Sequence, residues 1–182
     1  MTANTEKTIL EAAFEVLSDR PTATLADIAQ AAGVGRATLH RYFSGRDDLI
    51  RAMALVAADE LEAAVDAAVT DAESDTEALR LCLEAMIPLA DRQYFLANEP
   101  LDRFPDVAAV HARQMQELAQ AIDGAKSEGG FDPALPTAWI AEAYENATYT
   151  AWALVRAEEA TPRQASAFAW RLLQSGLSKG QP

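Results

Sequence analysis

The chain has 182 residues, 28 Asp plus Glu against 15 Lys plus Arg, and half its residues apolar, enough for one or two domains with a proper core. Its longest run without Asp, Glu, Lys or Arg is the ten residues Asn146 to Val155, far short of the roughly 18 apolar residues of a membrane span. The first residues carry no apolar segment behind a basic start and Cys82 stands alone, so the expectation is a cytoplasmic protein without membrane contact, intrachain disulfides or cysteine-cluster zinc.

Apolar residues recur at helical spacing along almost the whole chain, with no useful strand-like alternation, which predicts an all-α fold. A first helix carries Ile9, Leu10, Ala13, Phe14 and Leu17 on one face and stops at Asp19-Arg20-Pro21. Four hydroxyl-x-x-acid/amide boxes mark later helix starts: Thr24 to Asp27, Ser44 to Asp47, Ser74 to Glu77 and Thr161 to Gln164. A short helix with Ile28, Ala29 and Ala32 inward ends at Gly33, suited to a positive φ, and a second short helix, Arg36 to Phe43, buries Leu39 and Phe43. A long helix follows from about Arg46 to Ala72, then one with Leu79, Cys82, Leu83, Met86 and Ile87 that kinks or ends at Pro88. The pattern breaks from Tyr94 to Pro105, and the next helix, closed by Gly129-Gly130, aligns Val107, Val110, His111, Gln114, Met115, Leu118 and Ile122. A final pair runs from about Pro133 or Pro136 to Glu159 and from Pro162 to Leu177.

The net charge of −13 is unevenly spread: residues 1 to 55 hold six basic and seven acidic groups, residues 56 to 182 nine and 21. Within the first part, Val34 to Arg46 carries Arg36, Arg41, Arg46 and His40 and no acid, a basic island on an acidic body. Two short helices about a glycine turn, with that island on the second, read as a helix-turn-helix whose second helix enters the major groove. Arg and Thr there suit base edges, while Arg, His, Tyr and backbone N–H groups suit phosphates.

Asp27-Ile-Ala-x-x-Ala-Gly-Val34, Thr38-Leu39, Arg41-Tyr42-Phe43 and Arg46-Asp-Asp-Leu49, within residues 5 to 55, resemble the TetR family of bacterial transcription regulators. Gly35 stands where that family commonly has a hydroxyl residue and His40 where it commonly has tyrosine. The resemblance implies an N-terminal three-helix helix-turn-helix DNA-binding domain, residues 1–50, joined by the long helix to a C-terminal helical ligand-binding and dimerisation domain, residues 51–182. It implies that Thr24, Arg36, Ala37, Thr38, His40, Arg41, Tyr42 and Arg46 face double-stranded operator DNA. It also implies a homodimer formed by the last two helices, with Trp139, Ala143, Ala147, Phe168, Leu172 and Leu173 at the interface. A small-molecule effector, of unknown identity, is expected in a cavity for which Met86, Tyr94, Phe95, Phe104, His111, Met115, Tyr144 and Trp152 are candidates. His111 has two open readings, a hydrogen-bonded core histidine or a polar cavity contact. The Glu142 and Glu145 pair is either a solvated face or a preference for a cationic ligand.

The expected function is therefore a repressor that a small molecule releases from its operator; the rival is a helical interaction protein without specific DNA recognition. Gly176-Leu-Ser178-Lys-Gly180 has the spacing of a nucleophile elbow but not the strand-to-helix setting that chemistry requires. With no acid–base cluster and no paired-histidine helix motif, neither enzyme activity nor a metal or other cofactor is expected.

Overall fold

The structure, a computed structural model, describes residues 2–178, and these are helices α1 Thr2–Asp19, α2 Leu25–Ala31, α3 Arg36–Tyr42, α4 Arg46–Val69, α5 Asp75–Met86, α6 Ala90–Leu96, α7 Pro105–Glu128, α8 Thr137–Arg156 and α9 Pro162–Leu177. No strand occurs among the described residues, and none of these helices is long and apolar enough to cross a membrane. Lys179 and Gly180 of the nucleophile-elbow spacing lie outside the described residues.

Local chemistry fixes most boundaries. Thr24 accepts from the Asp27 backbone N–H and Asp27 accepts in return from the Thr24 N–H, a reciprocal cap that starts α2; Thr161 and Gln164 repeat it at α9. Gly33, at φ 65°, ends α2: its N–H bonds the Gln30 carbonyl and the Val34 N–H bonds the Ala29 carbonyl. Gly129, at φ 83°, closes α7 through the same two-bond pattern with Lys126 and Ala125. Ser74 caps α5 by accepting from the Glu77 N–H.

Several boundaries differ from the sequence expectation. The box at Ser44 is out of frame by one: Gly45 is the cap residue, and the Ser44 N–H and hydroxyl both donate to Asp48 rather than engaging Asp47. The long helix stops at Val69, not Ala72, with the Thr70 hydroxyl turned back onto the Asp66 carbonyl. Tyr94 to Leu96 still belong to α6, because Pro100 constrains only the residue before it, and the break begins at Ala97. The helix before the last is Thr137–Arg156, and Glu158, at φ 57°, turns the chain toward α9.

Two apolar cores result. One gathers α1, α2, α3 and the first half of α4, with Phe95 and Leu96 of α6 and Val107 of α7 inserted from the later chain. It continues through Met53, Ala54 and Ala57, so packing around the helix-turn-helix does not stop at residue 50. The other joins α5, the end of α7, α8 and α9 around Leu79, Leu83, Ile87, Ile122, Phe131 and Ile140. Polar bonds tie the two across α6: Arg92 bridges Glu11 and Glu60, and Arg156 bonds both Asp91 and the Ser18 carbonyl.

Candidate nucleic-acid interface

The site is built on α2 and α3. Leu39 and Phe43, four residues apart, anchor α3 in the first core, which turns Arg36, Ala37, His40 and Arg41 outward and leaves Thr38 and Tyr42 half-buried. The Arg41 guanidinium stacks 5.3 Å from the centre of the Tyr42 ring. Neither Arg36 nor Arg41 has a carboxylate within ion-pair distance among the described residues, so both cations are available to an anionic partner. Thr24, Leu25, Ala26, Arg36, Leu39 and His40 line a shallow groove beside them.

Asp27 is the nearby acid. The Thr24 hydroxyl donates to its carboxylate at 2.7 Å and the Thr24 N–H at 2.8 Å. Those bonds, with smaller contributions from Arg20 and Arg36, hold its carboxyl below the usual carboxylate range. Its negative charge is thus committed to the cap.

Arg46 is placed differently from the other candidate DNA contacts. Its guanidinium donates to the Ala23 carbonyl at 2.9 Å and the Pro21 carbonyl at 2.6 Å, and Glu99 lies 4.0 Å away. It secures the turn before α2 rather than pointing outward with Arg36 and Arg41. The sequence reading missed this role because its acceptors are main-chain carbonyls, which leave no signature in residue identity.

The effector candidates divide between the two cores and the surface. Phe95 lies within the first core and Phe104 packs against it. Tyr144 is buried in the second core, its hydroxyl donating to the Leu79 carbonyl at 2.7 Å, and burial pushes that phenol well up from its ordinary value. Trp152 and Met86 pack on the same core, joined by a 3.0 Å bond from the indole N–H to the Met86 carbonyl. Tyr94 stacks on Tyr149 with ring centres 5.1 Å apart, and Arg156 covers it. Met115 is half-buried on α7, whereas His111 is exposed, so the core-histidine reading is corrected: the side chain lies on the solvent edge of the α7 stripe. Glu145 is half-buried on α8, and burial raises its carboxyl above the usual range, opposed by His111 and assisted by Glu142.

On α8 and α9 the interface candidates divide. Trp139, Phe168 and Leu172 are 63%, 45% and 66% exposed, while Ala143 is half-buried. Ala147 and Leu173 are instead buried inside the protomer, because α8 and α9 first pack on one another and use those residues to do so.

Residues 9–53 match the family model described as bacterial regulatory proteins, tetR family. Over 154 residues the chain is 36% identical to the HTH-type transcriptional repressor LfrR of Mycolicibacterium smegmatis, an alignment spanning 84% of this chain and 76% of that protein. The crystal structure of LfrR from Mycobacterium smegmatis in complex with proflavine superposes with a TM-score of 0.82 at 29% identity, covering 98% of this chain and 99% of the other. The ketosteroid regulator KstR2 of Mycobacterium tuberculosis, at 18% identity and a TM-score of 0.79 over 96% of this chain and 95% of its own, shares the fold.

Proposed function

This chain belongs to the TetR family of bacterial regulatory proteins and is a DNA-binding transcriptional regulator, and from that premise we propose that it acts as a homodimeric repressor released from its operator by a small molecule. One observation carries the dimer. The large apolar side chains left exposed among the described residues, Trp139, Phe168 and Leu172, all stand on α8 and α9, where a second copy would bury them. Two-fold pairing there presents two α3 helices, each offering Arg36, Ala37, Thr38, His40, Arg41 and Tyr42 to a half-site, with Thr24 at the groove edge. Arg36 and Thr38 suit base edges and Arg41 and His40 suit phosphates.

For the effector we propose a flat aromatic cation. LfrR, whose crystal structure holds proflavine, supports this class. So does the half-buried Glu145 carboxylate on α8, deprived of part of its hydration and without a hydrogen-bonded partner among the described residues. A cation there would restore to Glu145 the field that water supplies elsewhere.

Selection of duplexes from a random DNA pool tests the reading. It should enrich an approximate palindrome with half-sites one helical turn apart or a multiple of it, about 34 to 36 Å per turn. Proflavine should then weaken binding to the enriched duplex. Enrichment of nothing, or of a site without two-fold symmetry, sinks the proposal.

A further inference from the structure

We propose that Glu99 and Arg46 form a positioning couple through which the regulatory half sets the pose of the helix-turn-helix; the proposal rests on the DNA-binding reading above. Arg46 opens α4, and each of its terminal nitrogens donates to a carbonyl, one to Ala23 and one to Pro21, the residues leading into the Thr24 cap of α2. A guanidinium with both prongs so engaged is held in a fixed plane. Glu99, from the turn after α6, supplies the counter-charge: its side chain is only 18% exposed and its carboxylate lies 4.0 Å from Arg46 and 3.9 Å from Arg103. Arg103 returns to α4 through Asp47 at 3.0 Å. The turn after α6 therefore grips the first turn of α4 on both sides, in a ring of alternating charge.

The same turn is fastened to the dimerisation helix. The Tyr149 hydroxyl of α8 donates to the Asn98 side-chain oxygen at 3.1 Å, and the Asn98 amide donates to the Tyr94 carbonyl at 2.7 Å. Polar contacts joined by the peptide bond between Asn98 and Glu99 thus run from α8 to Arg46 and the α1–α2 turn. Movement of α8 relative to α4 is felt where α2 begins, and through α2 by α3. Arg46 is accordingly assigned as a positioning residue, and the salt dependence of binding separates that role from a phosphate contact.

Charge makes the test decisive. Glu99 is an acid near the DNA-binding half, so if it acted only through its field, removing it would tighten binding to every duplex. As part of a positioning couple, Glu99→Ala should weaken binding to the selected operator by about two- to fivefold. Arg46→Met should weaken it about tenfold or more, with an unchanged slope of log affinity against log salt, whereas loss of a phosphate contact lowers that slope by about 0.9. Arg46→Lys keeps the charge but not the two-pronged geometry; it should weaken binding too, and it serves if Arg46→Met does not fold. The double variant Arg46→Met with Glu99→Ala should bind no more weakly than Arg46→Met alone. Without DNA, amide hydrogen exchange in residues 22–28 of the full chain should quicken in Glu99→Ala and Arg46→Lys. A shallower salt slope in Arg46→Met, tighter binding in Glu99→Ala, or unchanged exchange in residues 22–28 overturns the couple. Faster exchange in a protein that binds no duplex would instead uphold the couple and overturn the DNA-binding reading.

Discussion

Around α3 the arginines stand apart from acids, whereas every arginine from Arg51 to Arg156 sits on one; Arg163 and Arg171 of α9 again have no carboxylate within ion-pair distance among the described residues. Arg51 pairs with Asp106, Arg80 with Glu77 and Glu84, Arg92 with Glu11 and Glu60, Arg103 with Asp47 and Glu99, Arg113 with Glu62 and Glu117, and Arg156 with Asp91. Hydrophobic exposure is opposite: the DNA-facing half buries its large apolar side chains, while α8 and α9 leave Trp139, Phe168 and Leu172 outside. In the function proposed above, an acidic protein meets DNA with cations it has not paired, and meets its own copy with apolar surface it has not covered. The acidic surplus beyond residue 55 does not prevent the first, because at physiological salt its field decays over about 8 Å.

The sharpest way to break this contrast is to charge the apolar patch. Phe168→Glu with Leu172→Glu should give monomers in sedimentation equilibrium and weaken operator binding by at least about 100-fold, since each recognition helix then binds without its tethered mate. A variant that remains dimeric moves the interface away from α8 and α9.

The unpaired arginines are separated by the kind of loss each produces. Arg36→Ala should change the preference among operator variants by roughly 1 to 3 kcal/mol at one base pair of each half-site. Arg41→Ala should weaken all duplexes alike and lower the salt slope by about 0.9 per half-site. If Arg36→Ala weakens every duplex equally, Arg36 holds phosphate and the base reader lies elsewhere on α3.

Legibility from sequence followed the same division. Thr24, Asp27 and Gly33 fix α2 through atoms within five residues of one another, so local chemistry sufficed. At Ser44 it misled, because the hydroxyl pattern admits two frames and extended Gly45 takes the cap position. Arg46 defeated a local reading entirely: Ala23 is 23 residues away, Glu99 is farther, and the accepting carbonyls have no side-chain signature. On α9 the apolar arc is wide enough for two partners, and periodicity alone does not say that Leu173 turns inward and Leu172 outward. The aromatic residues suggested for a cavity meet a related difficulty, since Phe95 and Tyr144, which pack in different cores, have the same spacing whether they line a cavity or fill a core.

A smaller effect probes the cap that orients α2. Thr24→Ala removes an acceptor for the Asp27 N–H and a donor to its carboxylate, and should cost about 1 kcal/mol, lowering Tm by roughly 2 to 4 °C. Because the folded pKa of Asp27 is lowered, the stability its charge contributes is present above the unfolded carboxylate range and is lost as pH falls through the folded value. The Tm difference between Thr24→Ala and the parent should therefore narrow in acid. A constant gap at all pH values assigns the cap's worth to the hydroxyl alone.

The smallest effect concerns the regulatory half and has the opposite sign. Burial raises the folded pKa of Glu145, so the folded state holds its proton more tightly than the unfolded chain does. Stability then falls as pH rises from the ordinary glutamate range through the raised value, and the penalty is complete above it. Glu145→Gln removes that penalty and should raise Tm at pH 7 by about one to two degrees, with no gain near pH 4, where the parent carboxyl is largely protonated in both states. Half-exposure of the side chain keeps the gain small. If the same variant also loses its response to proflavine while its operator affinity is unchanged, Glu145 is a charge kept at a cost to stability because a cationic effector uses it. A variant less stable at pH 7 would mean that the carboxylate already has a partner in the folded protein, and the contrast between unpaired cations at α3 and neutralised charge in the body would extend to Glu145 as well.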